Sequence, residues 1–501
     1  MAEIERQSGL GLRVRAHDRL QLEIKSELWV QDPTGPRNSW RLDAWFVLPV
    51  ASGIGPGHYE KAAFYEDLQT RLRLKTPFVG LEQLCRPNGA NSPLSALRQI
   101  AEAPSRQPLD AAERSALQRE PRLLCAMFKS ELRDWSADVD APAAVAPELA
   151  GHLEALTQTW RHLHIQLGKR PLTPRAEETL SFCDESLSVQ IEAAALEHLA
   201  AIPPDAPSAD RLRAVARAEV AHRAGHTWRT NLSDATAGAE YVDQARLLKR
   251  FTAAALSIRL RPNRLHGYAQ QGVLAIAAAL AMLWAVVAQI GMLFAWGLQP
   301  QRGVSVSFLM AFTVLAVVAY ALKDRIKANA SAALERRLSG RLSDRSLDLH
   351  LPATDRTVGR VSERMEFTTT ADLPPDVADL HRTSARNLLL LRGERDVLRF
   401  TRMIDLRPRL AVASFPRLDG LTDVARLNVW RWIRTFARDR KVVAALEADG
   451  TVGQRKLRNH YFVDAFVRLQ RLEPEPVSHL LHLKVALNRR GIAEVEVVDR
   501  R

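Results

Sequence analysis

The chain has 501 residues, 47% of them hydrophobic and 25% charged, close to globular averages, so wholesale disorder and collagen-like repeats are excluded. That length exceeds one ordinary domain and leads us to expect about three modules. The net charge is +13, with nearly all of the excess in residues 323–501, so an electrostatic partner is expected there.

Met1 to Arg15 is charged and lacks an apolar stretch, so no cleavable signal peptide is expected. Residues 12–48 read as β. Leu20, Leu22 and Ile24 alternate with polar residues, and Trp40, Leu42, Ala44 and Phe46 alternate again. The turn cluster Asp32-Pro33-Thr34-Gly35-Pro36 between them predicts an antiparallel hairpin with one covered face. Gly53-Ile54-Gly55-Pro56-Gly57 then joins a strand to a helix. Such a turn can cradle a phosphate, but Pro56 removes a donor and no Gly-Lys-Ser/Thr follows, so a plain loop is the reading.

Residues 58–262 read as a helical bundle. Leu153, Leu156, Trp160, Leu163 and Leu167 are spaced as a packing seam. Thr173-Pro174 supplies an N-cap and a first-turn proline for the next helix, whose Leu180, Cys183, Leu187 and Ile191 continue the spacing. Cys85, Cys125 and Cys183 form no Cys-x-x-Cys pair. They suit a reducing compartment and are expected as small buried hydrophobes.

From Leu265 to Gln301 there is no Lys, Arg, Asp or Glu. Gly272–Leu298 and Gly303–Leu322 are apolar runs of membrane-spanning length, joined by Gln299-Pro300-Gln301-Arg302. They predict a transmembrane hairpin over 268–322. The flanking Arg259, Arg261, Arg264, Lys323, Arg325 and Lys327 place both ends in the cytoplasm by the positive-inside rule. The same six side chains are expected to contact anionic lipid headgroups. Residues 323–345 read as a basic helical stalk.

Residues 346–501 read as a basic α+β domain. A strand is expected at Val397–Leu406 and a helix over 423–438 capped by Thr422. Further strands are expected at Val442–Ala448, Tyr461–Leu472, Leu480–Asn488 and Ile492–Val498. On the expected helix and just beyond it, Arg431, Arg434, Arg438, Arg440 and Lys441 form a candidate polyanion face edged by Trp430 and Trp432.

Glu219, His222 and His226 fall at i, i+3 and i+7 on one helix face, a spacing that suits a metal. Without a second Glu-x-x-His, a polar bundle face is the favoured reading, and neither metal nor cofactor is expected. His162 and His164 diverge on a helix and cannot chelate together. Walker A, Gly-x-Ser-x-Gly, His-Glu-x-x-His, EF-hand and kinase signatures are missing, which lowers the prior for an enzyme.

The expected fold is thus a membrane protein of α+β class. A two-helix transmembrane hairpin joins an N-terminal β-hairpin (1–57) plus helical bundle to a C-terminal module with an antiparallel sheet. The expected place is the inner membrane, multi-pass, with both termini cytoplasmic. The expected role is a membrane-anchored scaffold, adaptor or regulatory subunit working with a protein partner or a second copy. The alternatives are a tethered enzyme acting on a nucleotide or lipid headgroup and a tethered nucleic-acid-binding protein.

Overall fold

Period-two alternation builds the framework of the molecule. In a computed structural model, the described residues are 9–49, 52–86, 88–89, 91–104, 107–137, 142–226, 228–230, 238–263, 343–351, 356–384, 395–436, 440–446 and 451–501, with scattered positions between 275 and 329. The strands are β1 (Leu10–Ala16), β2 (Gln21–Trp29), β3 (Asn38–Val47), β4 (Leu68–Leu74), β5 (Arg259–Pro262), β6 (Arg345–His350) and β7 (Thr357–Thr369). They continue as β8 (Asp396–Leu406), β9 (Gly420–Asn428), β10 (Arg440–Leu446), β11 (Val452–Arg458), β12 (Tyr461–Glu473), β13 (Val477–Asn488) and β14 (Gly491–Arg500).

Two large antiparallel sheets and one two-stranded ribbon result among the described residues. The larger runs β14-β13-β12-β3-β8-β7-β6-β5, and the smaller runs β1-β2-β9-β4, while β10 and β11 pair only with each other. Trp40, Leu42, Ala44 and Phe46 on one face of β3 join a buried apolar cluster with Leu22, Ile24, Leu28, Leu421 and Leu427 of the smaller sheet. Each such side chain contributes roughly 1.5–3 kcal/mol when fully buried. Within this interior Arg402 donates to Asp423 (2.9 and 3.0 Å) and to Glu363, tying the sheets together through a buried ion triad. On the opposite face Trp45, Val47, Val397, Phe466 and Leu480 form a second cluster with Leu373, Val377 and Leu380.

The helices lie mainly between β4 and β5. They are α1 (Lys61–Asp67), α2 (Leu81–Cys85), α3 (Pro93–Glu102), α4 (Ala111–Ala137), α5 (Pro142–Leu167), α6 (Pro174–Ala201), α7 (Ala209–Gly225) and α8 (Gly238–Ala254). Later come α9 (Pro375–Ser384), α10 (Pro408–Ser414) and α11 (Trp430–Ile433). The five seam residues of α5 are all buried, as are Leu180, Cys183, Leu187 and Ile191 of α6. Thr173 caps α6 by accepting from the Ala176 N–H. All three cysteines are free and buried. The Cys125 and Cys183 sulfurs stand 3.5 Å apart, and burial pushes the Cys85 thiol up to about 12.

Several expectations are corrected by this architecture. Among the described residues no helix is long and apolar enough to cross a membrane. The spans expected at 272–298 and 303–322 fall largely outside the described residues, as does most of the stalk expected at 323–345. The two-span membrane fold is therefore not supported. Neither are the integral inner-membrane placement and the anchored scaffold, tethered enzyme and tethered nucleic-acid-binding roles built on it.

The N-terminal strands do not form a hairpin module apart from the C-terminal sheet. β2 and β3 belong to different sheets, and β3 lies between β8 and β12. The expected helix over 423–438 is also replaced. Residues 420–428 form β9, with Leu421, Asp423, Ala425 and Leu427 buried at alternate positions, and only Trp430–Ile433 is helical. Asp423 occupies an inward position because Arg402 neutralises it, so the apolar alternation is interrupted where it would have marked a strand.

Candidate metal centre on the helical bundle

Two helices bring a carboxylate and two imidazoles together at one edge of the bundle. Asp184 comes from α6, His222 from α7, and His226 from the residue that follows the end of α7. Their ligand atoms all lie within 4.8 Å of one another. His222 and His226 are neighbours because four residues make about one helical turn. The His226 N–H still bonds to the His222 carbonyl (3.3 Å), which holds the spacing past Gly225.

Asp184 Oδ2 is 3.1 Å from His222 Nε2 and 3.5 Å from His164 Nδ1 on α5. Its Oδ1 accepts from the Trp160 indole N–H at 2.9 Å. Burial by itself raises the Asp184 carboxyl. The hydrogen bonds and charges of His164 and His222 outweigh it and hold the group below the usual carboxylate range. The aspartate is therefore ionised, as a ligand must be.

Aromatic rings fix the imidazoles. Trp228 stacks on His226 (centroids 4.7 Å apart, planes at 15°) and meets His222 edge-on. Trp160 stacks on His164 at 5.7 Å. A tryptophan thus restrains each side of the group, and the site opens outward through the exposed His226.

Of the three candidate donors singled out in the sequence, the structure brings His222 and His226 together and turns Glu219 elsewhere. Both Glu219 oxygens accept from Arg161 at 2.9 Å, and Thr157 adds a third bond at 3.1 Å. Asp184 stands in its place. Nothing in the local pattern marks Asp184, because its partners are on other helices. His162 does diverge from His164, and its ring bonds Gln166 at 2.8 Å.

The candidate polyanion residues do not share one helix face. Arg431 pairs with Glu66 (2.6 Å) and Asp67 (3.4 Å), Arg434 is exposed, and Arg438 lies outside the described residues. Arg440 and Lys441 belong to β10, where Lys441 is exposed. Of the candidate lipid contacts, Arg259 and Arg261 sit on the edge strand β5, Arg325 is exposed, and Arg264, Lys323 and Lys327 lie outside the described residues. In the glycine turn, Gly53 takes φ +60° and the Gly55 carbonyl accepts from the N–H groups of His58 and Tyr59. Comparison of the chain with protein families, curated proteins and solved structures finds no match.

Proposed function

We propose that this protein binds a divalent transition-metal ion, zinc above others, through Asp184, His222 and His226. The observation that carries the reading is the convergence of three donor atoms from two helices within 4.8 Å. Two imidazoles and one carboxylate suit zinc and its neighbours, whereas magnesium and calcium favour oxygen shells. Ligand atoms on one tetrahedral zinc stand about 3.3 Å apart, and the Asp184–His222 separation of 3.1 Å is already close to this.

Trp160 acts behind the ligands by orienting the carboxylate, as partners of metal ligands commonly do. His164 reaches the same Asp184 oxygen as His222 and stands ready as a fourth donor or a positioning group. Three protein ligands leave room for water, and zinc makes such a water acidic near neutral pH. Hydrolysis is the reaction class to assay once metal is bound.

The test is zinc titration of metal-stripped full-length protein against a chromophoric chelator. One equivalent is expected to bind, and zinc at 100 times its dissociation constant raises stability by about 2.7 kcal/mol. His222→Ala lowers the affinity more than a hundredfold. Failure to take up one equivalent, or uptake unchanged in His222→Ala, overturns the reading.

A further inference from the structure

A separate cavity of about 410 Å³ opens where the chain entering α2 packs over the last turns of α4 and the first half of α5. Phe78, Val79 and Glu82 line one side, Trp135 of α4 another, and Glu148 and His152 of α5 the third. His152 and His164 are separated by about 18 Å along α5 at 1.5 Å per residue, so this cavity is distinct from the metal centre.

Two lining residues are carboxylates. Arg86 pairs with Glu82, so Glu148 is the lining carboxylate that no lysine or arginine is seen to hold among the described residues. A third carboxylate, Glu131, sits behind the wall, one helical turn before Trp135 and only 6% exposed. It accepts from the Val79 N–H, and burial pushes it up to about 7. Arg133 on the same helix is exposed and paired with Asp134 instead (2.7 Å). Burial makes the charged form of Glu131 costly; the charge of Arg133 offsets part of this, and a cation arriving beside it removes more.

We propose that this cavity binds an organic ammonium ion with an apolar body. The body lies against Trp135 and Phe78, whose faces favour a cation, and the ammonium group points to Glu148, with Glu131 adding to the field from behind. The volume lies within the usual range for small ligands, toward its lower end. An anion would meet Glu148 and is disfavoured. Among the described residues Glu148 is bridged to His152, at 3.4 Å, and its side chain is 63% exposed, so it can turn to a ligand.

The experiment uses full-length protein with benzylammonium as probe, read by calorimetry and tryptophan fluorescence. Benzyl alcohol and benzoate have nearly the same shape with zero and opposite charge. Saturable 1:1 binding of benzylammonium in the millimolar range or tighter is expected, at least tenfold weaker binding of benzyl alcohol, and none of benzoate. Glu148→Gln lies on the surface, leaves the melting temperature unchanged and weakens benzylammonium at least tenfold. Trp135→Leu weakens both benzylammonium and benzyl alcohol. The proposal is overturned if benzylammonium does not saturate, if either control binds equally well, or if Glu148→Gln binds as the parent does.

Discussion

Asp184 in the bundle and Asp464 in the larger sheet each face two histidines, yet the two groups are built differently. At Asp184 both His164 and His222 approach the same oxygen, and His226 closes in from the side. At Asp464 the imidazoles take different oxygens: His381 Nδ1 stands 3.5 Å from Oδ2, and His482 Nε2 stands 3.6 Å from Oδ1. Phe466 stacks on His482 at 4.5 Å and meets His381 edge-on. The first arrangement converges on a point that an ion can occupy. The second spreads its contacts and fastens α9, which carries His381, to strands β12 and β13. Both carboxyls are held below their ordinary range against the effect of burial, so acidity does not separate them and geometry does.

The sharpest way to break this comparison is to neutralise each aspartate in turn and titrate zinc. Asp184→Asn is expected to weaken zinc more than a hundredfold, and Asp464→Asn to leave it within twofold. Equal losses would show that the second group is coupled to the ion and that convergence is the wrong criterion.

Stability should respond in the opposite sense. The folded value of Asp464 lies well below its unfolded value near 3.9. Its contribution is therefore present above pH 4 and is lost as pH falls toward the folded value. Asp464→Asn should cost about 2 kcal/mol at pH 5–6, as expected for a buried carboxylate facing two imidazoles, and progressively less as pH falls below 4. Urea unfolding across that range checks it, and a pH-independent cost would remove the electrostatic account.

Glu131 is the contrast, a buried carboxyl with no imidazole at hand. Its folded value of about 7 lies above its ordinary 4.5, so its stabilising share is present at acid pH and is lost as pH rises from about 4.5 to 7. Glu131→Gln keeps an acceptor for the Val79 N–H. It should leave stability at pH 5 nearly unchanged and add about 1 kcal/mol at pH 8. Thermal melts at the two pH values suffice.

Local signals in the sequence found what is local. The α5 seam, the Thr173 cap, and the strands expected at 397–406, 461–472 and 480–488 follow from spacing alone, and the structure extends the first by one residue, the second by one and the third by three. Alternation identifies β3 as a strand, but it says nothing of partners more than 350 residues away on β8 and β12. Polar residues facing inward hide the pattern further, as Arg402 and Asp423 do. The metal centre divides in the same way. His222 and His226 are readable because one turn of helix joins them. Asp184 and His164 are not, because only tertiary packing brings them in. Glu219 had suitable spacing, but Arg161 holds it away. At 272–298 and 303–322 the absence of charge met one requirement for a membrane span, but among the described residues no helix is long and apolar enough to cross a membrane.

The pairing of β5 with β6 carries a consequence for how this protein tolerates change. Pro262 stands opposite Leu347, and the Asn263 N–H bonds to the Ser346 carbonyl, so the chain departs and returns at neighbouring points on one sheet edge. The gap between departure and return is about one strand spacing, 4.8 Å, a distance that a tight turn also closes. A change of length between 264 and 342 therefore need not reset the register of the eight strands on either side of it.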